Sequence, residues 1–222
     1  RSTPKPSSAA SDVYKRQYMD SFRYPLAGEF SFRRDVLNDI RIPSDWSLEV
    51  GVLSEMYRNY ANNRLCQVDI ADNYDHKHQS LSVNDESKGL SKMSIDIAKG
   101  LFRKLATQGV IFSQETFRSI KATYYRKALD VIENCHNDAV MNGLSLDVHE
   151  EEKAVEMFAQ NIIKAGEIFT AIPMERPFLP SWNRVVSAIP DIYDQLIEAV
   201  DKDLKEFQLG KTTVRPLKRA SR

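Results

Sequence analysis

Apolar residues recur along this chain mainly at three- and four-residue spacings, the stripe of an amphipathic helix. Leu48, Val52, Met56 and Tyr60 predict a first helix, with Asp45 or Ser47 placed to cap it. Ile95, Ala98, Phe102 and Leu105 predict a second. Phe117, Ile120, Tyr124, Ala128, Val131 and Cys135 predict a third, and Val155, Phe158, Ile162, Ala165 and Phe169 a fourth. Ile192, Leu196, Ala199 and Leu204 predict a fifth. Asp147 with Glu150 has the spacing of a capping box at the start of the fourth, with Asp in the Ser/Thr place. One stretch has period two instead. Cys66, Val68 and Ile70 alternate with Gln67 and Asp69, the pattern of a half-buried strand. Pro25 predicts a turn, IPSDW a break, 71–80 a polar loop, and the Pro-rich string IPMERPFLPSWNRV an ordered connection.

The order of these elements divides the chain. Residues 18–82 are expected to form a short mixed α/β segment, 83–209 a helical region, and 210–222 a basic, solvated tail. Residues 1–17, RSTPKPSSAASDVYKRQ, show no apolar periodicity. They read as a leader outside the fold, either non-native sequence of the kind left by translated adapters or a disordered segment.

Composition narrows the function classes. Lys+Arg and Asp+Glu are both 31, for a net charge of zero. That balance argues against a general nucleic-acid binder, which needs a basic excess to neutralise phosphates. No apolar run approaches the roughly 20 residues that cross a bilayer, so no membrane partner is expected. Two cysteines far apart, Cys66 and Cys135, do not make a disulfide framework, and a cytoplasmic setting is the simpler expectation.

Four strings fall where a scaffold positions functional groups: PLAGEF (25–30), DWSLEVG (45–51), QVDI (67–70) and DHKHQ (75–79). His76 and His78 leave the expected strand together, and neutral imidazole is a good metal ligand, although two surface histidines give the same spacing. Glu49 sits in the first turn of a helix, where the dipole stabilises a carboxylate; that position also suits any N-terminal helix residue. Trp46 is equally a core or staple residue. Gly28 permits close backbone approach or a positive φ, and is equally an ordinary turn glycine.

Taken in order, PLAGEFSFRRDVL, IPSDWSLEVGVLSEMY and CQVDIADNYDHKHQSLS resemble the glucosyl-3-phosphoglycerate synthase family of retaining glycosyltransferases. The later PFLPSWNRVVSAIPD is similar to the helical tail of its bacterial members. The resemblance covers 18–210 and is strongest over 24–82. It implies an α/β fold: the C-terminal part of a GT-A (Rossmann-like) glycosyltransferase domain, followed by a mostly helical region. It implies glucosyl transfer from NDP-glucose to 3-phosphoglycerate with a divalent ion, Mg²⁺ or Mn²⁺. On this sequence the family's metal-binding histidine falls on His76. The donor-sugar strip falls on Trp46, Ser47, Leu48 and Glu49, with Leu26, Gly28 and Glu29 lining the same pocket. Glu49 is the catalytic-site carboxylate that holds sugar hydroxyls. His78 falls where some members place an acceptor-contacting asparagine.

The implied front-face mechanism lets the leaving phosphate take the acceptor's proton, so Glu49 is not a nucleophile and no opposed carboxylate pair is needed. No DxD-like pair stands upstream of residue 24, so the fragment alone is expected to be inactive. Other readings remain open. One is a hexosyltransferase with another donor or acceptor, such as a mannosyl donor. Another is a non-catalytic helical interaction module. A homodimer through the helical region is a further possibility, since its helices carry apolar faces.

Overall fold

The computed structural model describes residues 18–19, 21–60, 64–70, 81, 85, 87–175 and 178–208. The leader 1–17, the loop with His76 and His78, and the basic tail lie outside the described residues. Seven helices run in order among those described: α1 Val36–Asp39, α2 Leu48–Asn59, α3 Gly89–Ala106, α4 Gln114–Met141, α5 Val148–Ala171, α6 Trp182–Ala188 and α7 Ile192–Gln208.

All five helices predicted from periodicity form, as α2, α3, α4, α5 and α7. Their ends have local causes. Ser113 and Thr116 close a capping box at the start of α4. Asp147 caps α5 by accepting from the His149 and Glu150 N–H groups, both at 3.1 Å. The Glu150 carboxylate turns instead to Lys153 at 2.7 Å. Gly143, at φ 69°, ends α4 in a left-handed turn in which the Leu144 N–H reaches the Ala139 carbonyl at 2.8 Å.

α5 lies at the centre, with α3 and α4 packed along it. Ile95, Phe102, Phe117 and Ala165 form the buried centre, and Phe112, Ile120, Ile162 and Phe169 pack around them. Gly166 sits against the Phe117 ring, which a Cβ there would meet at 2.6 Å. A second core joins α1 and α2 through Val36, Ile40, Val52 and Met56. Six of the predicted stripe positions are exposed: Leu105, Val131 and Cys135, and on α7 Leu196, Ala199 and Leu204. α4 has 28 residues and so spans about 42 Å, longer than the 24-residue α5 it packs on, and Phe117 and Ile132 are its buried residues.

The mostly helical character stands, but the described residues contain no strand. The predicted strand over 64–70 does not form. Val68 and Ile70 are 73% and 64% exposed. Two-residue alternation makes a strand only where a neighbouring backbone completes the hydrogen-bond ladder. Here side chains tie the segment to residues 21–23 instead: Gln67 accepts from the Arg23 N–H at 2.9 Å and donates to the Ser21 carbonyl at 2.6 Å. Asp69 pairs with Arg23 at 3.2 Å. The described β pairing is an isolated antiparallel bridge, Ile42 with Leu179. It pins the connection before α6 to the strip before α2.

Candidate functional site

The strip Ser44–Glu49 enters α2 through a compact turn. Neither Asp45 nor Ser47 caps the helix with its side chain. The Asp45 carboxylate folds back to accept from the Ser47 N–H at 3.0 Å and from the Ser47 hydroxyl. The other Asp45 oxygen accepts from Arg103 of α3 at 2.9 Å. Burial alone would raise the Asp45 pKa. The Ser47 hydroxyl and N–H, with the Arg103 guanidinium, outweigh burial and hold it below the ordinary carboxylate value.

Two further contacts lock α2 to α3. Gly100 of α3 lies against Ser47 so closely that a Cβ there would fall 2.3 Å from the Ser47 Cβ. Glu55 and Lys104, both buried, form an ion pair across the two helices. Burial would raise the Glu55 pKa, but Lys104, the Arg41 N–H and Arg58 together lower it. Among the described residues no buried side-chain nitrogen or oxygen lacks a hydrogen-bond partner.

This junction opens a cleft of about 430 Å³ lined by Ser44, Asp45, Trp46, Leu48 and Glu49 on one side and Lys92 and Asp96 of α3 on the other. Three of the seven predicted donor-site residues, Trp46, Leu48 and Glu49, therefore converge in one place. Ser47 lies beneath them, 1% exposed, with its hydroxyl committed to Asp45. Leu26, Gly28 and Glu29 do not line this cleft. Leu26 lies in the predicted Pro25 turn, which closes through the Ala27 N–H to the Tyr24 carbonyl at 3.1 Å. Gly28 uses neither freedom expected of it: its φ is not positive and a Cβ there would meet nothing within 4 Å. His76 and His78 lie outside the described residues.

Among the described residues no three His, Cys, Asp or Glu side chains converge as a metal shell. The cleft's Asp45 is bonded to Arg103, and Asp96 to Lys92 and Lys99. The described wall thus does not fit a divalent ion. It offers a small ligand the Glu49 carboxylate as acceptor, the Lys92 ammonium as donor, and the half-exposed indole of Trp46 beside them.

Comparison with known proteins bears on what that ligand is. A glucosyl-3-phosphoglycerate synthase of Persephonella marina (strain DSM 14350 / EX-H1) is 47% identical over 186 residues, covering 84% of this chain and 46% of the relative. A protein of the same name from Methanococcoides burtonii (strain DSM 6242 / NBRC 107633 / OCM 468 / ACE-M) is 42% identical over 203 residues, 90% of this chain and 49% of the relative. Over that span the chain belongs to the glucosyl-3-phosphoglycerate synthase family. It spans about half the length of the curated relatives it matches. No family model matches the chain, and no solved structure matches it.

Family resemblance pointed to the α2 side of the cleft and missed the α3 side. Lys92 and Asp96 stand four apart, the spacing of a helical ion pair. That signal is present in the sequence, but it does not say which cleft the pair faces.

Proposed function

We propose that the intact protein to which this chain belongs is a retaining glycosyltransferase that moves glucose from NDP-glucose to 3-phosphoglycerate. The placement of Trp46, Leu48 and Glu49 in one cleft carries this reading, together with the names of the two relatives. Glu49 lies in the first turn of α2, beside the positive end of the helix dipole, where a carboxylate can accept from sugar hydroxyls. The Asp45–Arg103 pair and the Gly100–Ser47 contact hold that turn rigid, so the carboxylate meets the sugar already oriented.

In the same reading, residues 18–82 belong to the acceptor and metal side of a GT-A α/β core, and 64–70 pairs with strands that lie outside this chain. Residues 83–209 form its helical region. A divalent ion, Mg²⁺ or Mn²⁺, takes His76 as one ligand, and its shell is completed outside the described residues. His78 serves the acceptor. Among the described residues no helix is long and apolar enough to cross a membrane, and a cytoplasmic enzyme is the proposal. The protein acts as a homodimer.

The test uses the intact protein with 3-phosphoglycerate, NDP-glucose and Mg²⁺. Glu49→Gln keeps the shape and removes the charge. It should lower kcat/KM for the donor by about a hundredfold, the scale of a lost charge-assisted hydrogen bond. Unchanged transfer in that variant, or none in the wild type, would reject the reading.

A further inference from the structure

The α3 wall of the cleft narrows the ligand further than Glu49 does. Lys92 Nζ is held by one oxygen of Asp96. The other Asp96 oxygen faces Lys99 Nζ at 3.3 Å, and Lys99 reaches Glu175 at 2.8 Å. This chain of pairs fixes Asp96, and Asp96 fixes Lys92. The Lys92 side chain is 32% exposed and the Lys99 side chain 7%. Of the two lysines, Lys92 is the one that lines the cleft. An ammonium carries three N–H donors. Asp96 takes one, which leaves two for water or for whatever fills the cleft.

The lining bears on the ligand class. The Asp45 carboxylate is spent on Ser47 and Arg103, and the Asp96 carboxylate on Lys92 and Lys99, so Glu49 is the lining carboxylate left to accept. A polyhydroxylated ligand placed there meets the Glu49 carboxylate on one wall, the Lys92 ammonium on the other, and the indole of Trp46 alongside.

We propose that Lys92, oriented by Asp96, is a specificity-determining residue that donates a hydrogen bond to one hydroxyl of the donor hexose, across the cleft from Glu49. That role rests on the cleft holding the donor's sugar. It adds a reader from the helical region to a site otherwise built from the strip before α2.

Calorimetric titration of the intact enzyme with NDP-glucose and with the bare NDP separates the sugar's share of affinity. The nucleotide used is whichever of the uridine, guanosine and adenosine forms the wild type turns over. Lys92→Met should weaken NDP-glucose binding about tenfold and leave NDP binding within about twofold. Lys92→Arg should restore part of the loss. In turnover, the wild type should penalise each mono-deoxyglucose donor. Lys92→Met should bring one of those penalties close to parity and leave the others in place. If every penalty persists in Lys92→Met, the role is overturned. Should Lys92→Met fail to fold, Lys92→Gln run on the same panel decides: a change at one hydroxyl supports the role, and an unchanged panel overturns it. Failure of the underlying reading looks different. There the wild type would bind NDP-glucose no more tightly than NDP, or Glu49→Gln would leave both affinities untouched.

Discussion

Asp45 has a side chain only 1% exposed, yet its pKa falls rather than rises, because Ser47 and Arg103 overcome the cost of burial. The sign of its effect on stability follows. With the folded value below the unfolded one, the unfolded chain binds more protons between the two, so stability rises with pH across that window. The contribution is complete above the ordinary carboxylate value of about 4. It is lost as pH falls through the lower folded value. Asp45→Asn removes the titrating group and leaves Arg103, itself largely buried, without its counter-charge from this residue. The variant should lose about 3 kcal/mol near neutral pH. Its melting temperature should then fall less than the wild type's between pH 6 and pH 3. Calorimetric scans that drop in parallel over that range would show that Asp45 does not carry the acid sensitivity.

The contact between α2 and α3 decides whether the cleft keeps its shape, and Gly100 sets their separation. Replacing a mid-helix glycine with alanine ordinarily gains up to about 1 kcal/mol of helix propensity. Here the added Cβ would fall 2.3 Å from the Ser47 Cβ and 2.5 Å from its hydroxyl oxygen. Ser47 is buried and bonded to Asp45, so it cannot swing aside. Overpacking of this kind costs about 1–3 kcal/mol, and the cost should win. Gly100→Ala should lower the melting temperature and weaken donor affinity. A variant more stable than the wild type would mean that the two helices separate freely.

The same junction marks the limit of what the sequence makes legible. The helices were legible because burying one face writes a 3.6-residue period into the chain, and the α5 cap was legible because Asp147 acts on its own next turn. Gly100, Arg103 and Lys104 meet Ser47, Asp45 and Glu55 across about fifty residues of chain, and no local period records such a meeting. The segment 64–70 fails in the opposite direction. Its alternation is real, but alternation describes one strand's faces and says nothing of whether a neighbouring strand is there to pair with it.

At the scale of the molecule, α7 presents a face that the rest of the described chain does not cover. Tyr193, Leu196, Ile197, Val200, Leu204 and Phe207 are each between 46% and 61% exposed. The set 193, 197, 200, 204, 207 alternates four- and three-residue steps, the seam of a two-helix coiled coil. Tyr193 also takes the Trp182 indole N–H at 2.7 Å, which ties the start of the seam to α6. The charged residues that flank this seam, Asp194, Asp201 and Asp203, are all acidic, so they set no direction of pairing with a second copy. Val200 stands at the middle of Ile192–Gln208, so a two-fold axis there brings the two copies of Val200 together. Val200→Asp would then place two carboxylates face to face in an apolar seam. Sedimentation equilibrium of the intact protein should give a dimer for the wild type and a monomer for Val200→Asp, with the secondary structure unchanged by circular dichroism. A wild type that sediments only as a monomer would end the dimer proposal, and a Val200→Asp variant that stays dimeric would move the interface away from α7.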